Sequence, residues 1–181
     1  MRSRARMLDA FFALIGEGVV TPTAQQIAER ASVGIRTVFR HFSEMETLFA
    51  ELDERIRREA APYLDRGPEP GSTNERASQV VRARIRCFER IGPYLRSTRA
   101  NRWRSTFLEA SYTRFVLDQR ANLHRWLPEL ATARQAQVDA VELATSFESW
   151  DRLRTEQGLS KPRAQAALEQ IVLSTLNNEE A

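Results

Sequence analysis

The stretch IAERASVGIRTVFRHF, from Ile27 to Phe42, constrains the fold more than any other part of the chain. Ile27, Ala28 and Ala31 recur at helical spacing, Ser32-Val33-Gly34 interrupts them, and Val38 and Phe42 then stand four residues apart. The pattern predicts two short helices meeting across a tight turn. Helices that cross this closely need a small residue at the contact and a turn residue that tolerates a left-handed backbone. Ala28 stands at the contact position and Ser32 at the turn, Val33 plugs the inside of the turn, and Ile27, Ala31 and Val38 supply the shared core. Glycine would suit the turn better, because a left-handed serine costs on the order of 1 kcal/mol.

With Val38 and Phe42 turned inward, Arg36, Thr37 and Arg40 point outward, and Phe39 and His41 lie at the flanks. Arginine can take O6 and N7 of guanine in a major groove, whereas threonine, histidine and helix N-terminal amides favour phosphate oxygens. The same face in an ordinary helical bundle would simply be solvated. The residues around it decide between these readings.

The whole chain reads as helical. Across 181 residues there are only 7 Gly and 7 Pro, and the 42% hydrophobic content is enough for a sizeable core. A single cysteine, Cys87, excludes an intramolecular disulfide framework. The N-terminus places basic residues before an apolar stretch, but Asp9 interrupts it and Leu8, Phe11, Phe12 and Ile15 form an amphipathic stripe rather than a signal peptide. No run approaches the roughly 18 apolar residues of a membrane span, so a cytoplasmic protein without membrane association is expected. Lys161 is the only lysine among 27 basic residues. A coding bias would give the same excess of arginine as a functional need for its planar fork of donors. Position is more informative: up to Phe42, Arg2, Arg4, Arg6, Arg30, Arg36 and Arg40 oppose Asp9, Glu17 and Glu29, and six minus three gives the +3 of the entire chain.

Periodicity and capping residues predict a first helix over about Ser3 to Glu17. A second follows over Ala24 to Ala31, with Thr23 as N-cap and Gln26 completing a capping box, and a third over about Ile35 to His41. Ser43 is expected to cap a fourth helix whose apolar face is Leu48, Leu52, Ile56 and Tyr63. Residues 64–74 read as a loop. Helical segments then run over about Glu75 to Ile91, with Gly92-Pro93 as a kink or break, Tyr94 to Thr98, and Trp103 to Leu127. A helix over about Thr132 to Gln157 and a last one with Ser160 as N-cap and Pro162 in its first turn complete the chain.

The segment Ala31 to Leu48 resembles the pattern A-G-V-S-x-G-T-L-Y-x-H-F-x-x-K-E-x-L of the TetR/AcrR family of transcriptional repressors, and Thr23-Ala24-Gln25-Gln26-Ile27-Ala28 resembles its T-x-x-x-I-A. The likeness is specific over about Leu8 to Leu52. It implies an all-α protein of about nine helices: a three-helix helix-turn-helix DNA-binding domain over residues 1–46 and a helical inducer-binding and dimerisation domain over residues 47–181. The DNA contacts implied are Thr23, Gly34, Arg36, Thr37, Phe39, Arg40 and His41. Three departures stand out. Phe39 lacks the hydroxyl of the family's usual aromatic, Met45 between Glu44 and Glu46 replaces a lysine, and Arg36 occupies a glycine-like position. The reading that follows is that phosphate anchoring has shifted to the recognition helix and to Arg2, Arg4 and Arg6.

Such proteins are expected to bind a palindromic double-stranded operator as homodimers. The final helix pair is the expected dimer surface, with Phe147, Trp150, Leu168, Ile171 and Leu176 supplying area. The middle of the chain should form a pocket for a small-molecule inducer, and Arg86, Trp103, Phe107, Tyr112 and Trp126 would suit an aromatic or acyl compound bearing a carboxylate. No cofactor or metal is expected: two histidines and one cysteine cannot build the usual metal clusters, and there is no glycine-rich phosphate loop. The rival to a ligand-released repressor is a non-catalytic helical interaction module that has lost DNA affinity, for which Phe39 and Met45 argue.

Overall fold

The computed structural model describes residues 2–42 and 45–178, leaving out the side chains of residues 2, 41, 42 and 45. Among the described residues there are nine α-helices and no strand. They are α1 (Arg2–Gly16), α2 (Ala24–Ala31), α3 (Ile35–Phe42), α4 (Met45–Leu64), α5 (Thr73–Asn101), α6 (Thr106–Trp126), α7 (Gln135–Ala144), α8 (Phe147–Asp151) and α9 (Lys161–Asn177). The expected cap at Ser43, the environment of Met45, the inward turn of Phe42 and the side chains of Arg2 and His41 lie outside the described residues.

The chain divides into two compact units, Met1–Glu59 with Pro93–Phe115 and Ala60–Gly92 with Val116–Ala181. In the first unit α1 buries Met7, Ala10, Phe11, Leu14 and Ile15. This stripe is rotated from the expected one, since Leu8 and Phe12 are only half-buried. Phe12 instead stacks on Tyr94, ring centroids 4.3 Å apart, while the Arg55 guanidinium lies 3.8 Å from the centre of its ring. An aromatic ring that can stack and attract a cation does not need full burial. Leu48 and Leu52 of α4 and Leu108 of α6 are also buried in this unit.

Two expected boundaries are corrected. Gly92-Pro93 does not interrupt α5. Proline removes one helical hydrogen bond, but Ile91 on one side and Tyr94 and Leu95 on the other are buried, and that packing holds the helix through the defect. Conversely, the long helix expected over Thr132 to Gln157 is broken at Thr145-Ser146. The Ser146 hydroxyl bonds the Leu143 carbonyl at 2.7 Å and accepts from Ser149 N at 3.2 Å, so it caps α8 rather than continuing α7. The Thr145 carbonyl is meanwhile held by the guanidinium of Arg84 at 2.9 Å. In the second unit α9 buries Ala164, Leu168 and Val172 at four-residue spacing, and Phe147 meets Phe88 edge-on with centroids 5.5 Å apart.

Candidate nucleic-acid interface

The reading helix is positioned by local chemistry on both sides of its turn. Thr23 caps α2 in a complete capping box: Gln26 N donates to the Thr23 hydroxyl at 3.2 Å, and Thr23 N donates to Gln26 Oε1 at 2.8 Å. Ile27, Ala28 and Ala31 are buried, so α2 presents only small or compact side chains to its neighbours. Ser32 then adopts φ 50°, ψ 52°, the only positive φ outside glycine among the described residues. Its strain is met by backbone bonds from Ser32 N to the Glu29 carbonyl at 3.1 Å and from Val33 N to the Ala28 carbonyl at 3.0 Å. Arg6 reaches from α1 to the Ser32 carbonyl at 3.0 Å, capping the turn from outside.

After the turn, Thr37 N and Val38 N both donate to the Gly34 carbonyl, at 2.8 and 3.3 Å, which starts α3. Val38 is 1% exposed and anchors the helix. The opposite face carries Arg36 and Arg40, both exposed, half-buried Thr37, and Phe39, whose 60% exposure is large for an apolar ring. Thr23 and Gly34 are exposed as well. Acidic groups just after α1 and on α2 are tied up: Glu17 takes a two-pronged ion pair from Arg30 at 2.7 and 2.6 Å, and Glu29 accepts from Gln25 at 2.6 Å. The Arg30 hydrogen bonds hold the Glu17 carboxyl below its usual range. The outcome is a helix anchored by Val38 with two guanidinium groups and a ring on its outer side, chemistry suited to base edges and phosphates.

Residues 8–52 match the family model described as bacterial regulatory proteins, tetR family. The helix-turn-helix is a TetR-family DNA-binding domain. A crystal structure of a TetR transcriptional regulator from Rhodococcus sp. RHA1 is similar in fold, with a TM-score of 0.58 at 20% sequence identity over 100% of this chain and 99% of that one. No curated protein gave a significant match. TetR-type DNA binding thus stands on both the matched segment and the α3 geometry.

The shift of phosphate anchoring to the N-terminal arginines needs correction. Arg4 pairs with Glu51 at 2.6 Å and Arg6 holds the Ser32 carbonyl, so both brace the TetR domain itself. Of the five expected inducer residues, three lie in the first unit and two in the second. Trp103 is 81% exposed in the short 3-10 turn Arg102–Arg104, where its indole N–H bonds the Ala100 carbonyl. Tyr112 is buried and Phe107 half-buried in the first unit, whereas Arg86 and Trp126 flank a surface hollow of the second. The expected dimer residues also divide. Phe147, Trp150 and Leu168 are 1%, 1% and 3% exposed within the single chain, because large apolar side chains on α8 and α9 fill the second unit's own core. Leu176 is half-buried, and Ile171 is exposed, as is Leu143 of α7.

The inward arginine is Arg84, not Arg86. It is 2% exposed and donates to the Thr145 carbonyl and hydroxyl and to the Gln119 carbonyl. Burial lowers its pKa to about 10, so it stays protonated at neutral pH, and burial pushes the neighbouring Cys87 thiol up to about 12. The sequence carried a signal for this residue: Ala77, Val80, Val81, Arg84, Cys87, Phe88 and Ile91 follow one helical stripe, and an arginine inside an apolar stripe is buried with partners.

Proposed function

We propose that this TetR-family DNA-binding regulator is a repressor that binds a palindromic operator as a homodimer and releases it when a small molecule binds. The observation that carries the reading is the outer face of α3, where exposed Arg36 and Arg40 flank exposed Phe39 on a helix fixed by buried Val38 and the Ser32 turn. Arg36 is assigned to base edges and Arg40 to phosphate, with Thr23, Gly34, Thr37 and His41 supporting the backbone contacts. Two recognition helices related by a two-fold axis would read two half-sites one helical turn apart. The functional division falls near residue 46, with residues 47–181 carrying effector binding and self-association. Cytoplasmic localisation accords with this role, and no helix among the described residues is long and apolar enough to cross a membrane.

The dimer face proposed is the outer side of α7 and α9, where Leu143 at 66% and Ile171 at 48% exposure are large apolar side chains left in water. The test of the whole reading is a fluorescence anisotropy titration of the full chain against the intergenic DNA beside its own gene, with scrambled DNA as competitor. Selective binding that weakens steeply with salt supports a regulator; no binding at low salt returns the chain to an interaction module.

A further inference from the structure

The first unit contains a partly enclosed cavity with about 620 Å³ of empty space, open mouth included, of which about 70 Å³ can seat the centres of water-sized atoms. Four helices build its apolar walls: Phe11 and Ile15 come from α1, Phe49 and Leu52 from α4, Tyr94 from α5 and Leu108 from α6. Several of its polar lining groups are tied to one another or to nearby backbone. Asn101, for example, donates to the Ser97 carbonyl at 2.7 Å and the Val20 carbonyl at 3.3 Å.

Asp53 supplies the only carboxylate in that lining. Its Oδ1 accepts from the Ser111 hydroxyl and its Oδ2 forms an ion pair with Arg57 Nε at 2.8 Å, a partner whose own side chain is 37% exposed and therefore screened, which leaves further lone pairs on an acceptor-only group whose side chain is 21% exposed. Arg104, the one cation in the lining, is exposed, so water and salt screen it. A carboxylate that shares one cavity lining with the rings of Phe11, Phe49 and Tyr94 is a setting for an organic cation. The carboxylate gives a charge-assisted hydrogen bond, the ring faces attract positive charge, and the remaining wall takes hydrocarbon out of water.

We propose that this cavity is an effector site for a compact organic amine, its ring or alkyl body against Phe11, Ile15, Phe49 and Leu108 and its ammonium on Asp53. A ligand bearing a carboxylate, the class expected from the sequence, would set like charge against Asp53. Binding here reaches the reading helix through short paths: α1 holds the Ser32 turn through Arg6, and Thr21-Pro22, which also line the cavity, lead directly into the Thr23 cap. This coupling rests on the DNA-binding reading, whereas the amine site does not.

Calorimetric titration of the full chain without DNA, using 2-phenylethylamine, 2-phenylethanol and phenylacetate as matched probes, tests the site. The amine should bind saturably and at least about tenfold more tightly than the other two, and Asp53→Asn, which keeps the shape, should bring amine and alcohol within about twofold. Thr98→Trp, a substitution at a half-buried lining position, should weaken the amine at least about tenfold while the far-UV circular dichroism stays native. No saturable amine binding, an amine preference that survives Asp53→Asn, or a folded Thr98→Trp variant that binds like the parent would each overturn the site. Saturating 2-phenylethylamine should lower affinity for the operator at least about fivefold. Amine binding with unchanged DNA affinity overturns the coupling, while absence of DNA binding in the ligand-free protein sinks the regulator reading and leaves the amine site standing.

Discussion

Ser32 shows how one residue can satisfy a fold at a cost. Its left-handed backbone is needed to swing α3 across α2, and glycine would adopt it without a Cβ penalty. Ser32→Gly should therefore raise unfolding free energy by about 1 kcal/mol in urea denaturation and leave DNA affinity unchanged. Glu17 behaves differently, because its contribution depends on charge. Its folded pKa lies below the usual carboxylate value, so the Arg30 pair stabilises fully above that value and is lost as pH falls through the folded one. The thermal midpoint of Glu17→Gln should lie below that of the parent at pH 7, and the gap should narrow as pH falls below the usual carboxylate range. Arg84 has the larger structural role. Arg84→Met keeps an unbranched stem but leaves the Thr145 and Gln119 carbonyls without their donor, and unfolding free energy should fall by about 2 kcal/mol in urea titration.

Among the elements, those with local signals were legible from sequence and those set by tertiary partners were not. The capping box at Thr23 fixed the start of α2, and Pro162 in the first turn marked the start of α9, where Ser160 occupies the N-cap position without a side-chain capping bond. The break between α7 and α8 has a local part, the Ser146 cap, and a hidden part, a guanidinium 61 residues away that holds the Thr145 carbonyl. Continuity of α5 through Pro93 was hidden for a similar reason: buried flanks outweigh a local defect. At α3 the outward face followed directly from spacing, and its two arginines carry separable predictions. Arg36→Ala should cost about 1–3 kcal/mol of operator binding and relax base preference in anisotropy titrations against single-base operator variants. Arg40→Ala should weaken all sequences alike and flatten the slope of log K against log salt by about one.

For the whole molecule, a single short reading helix meets few base pairs, so selective binding depends on pairing two of them. Ile171→Glu places a charge on the proposed α7–α9 face without touching the buried Leu168 and Val172 behind it. Sedimentation velocity should show the variant shifted to monomer, with operator affinity reduced in parallel.

By itself, the sequence determined that the chain is helical, where the helix-turn-helix lies, and that Arg36, Thr37 and Arg40 share a face. These follow from periodicity, capping and turn chemistry acting over a few residues. The tertiary structure alone decided that Arg4 and Arg6 brace the TetR domain, that Phe147, Trp150 and Leu168 fill a core, and that Arg84 rather than Arg86 turns inward. It also brought Asp53 of α4 and aromatic rings of α1 and α5 into the lining of one cavity, residues far apart in the chain. The physical reason is common to all of these: burial and pairing depend on which helices meet, and amphipathic spacing states which face is apolar without naming what covers it.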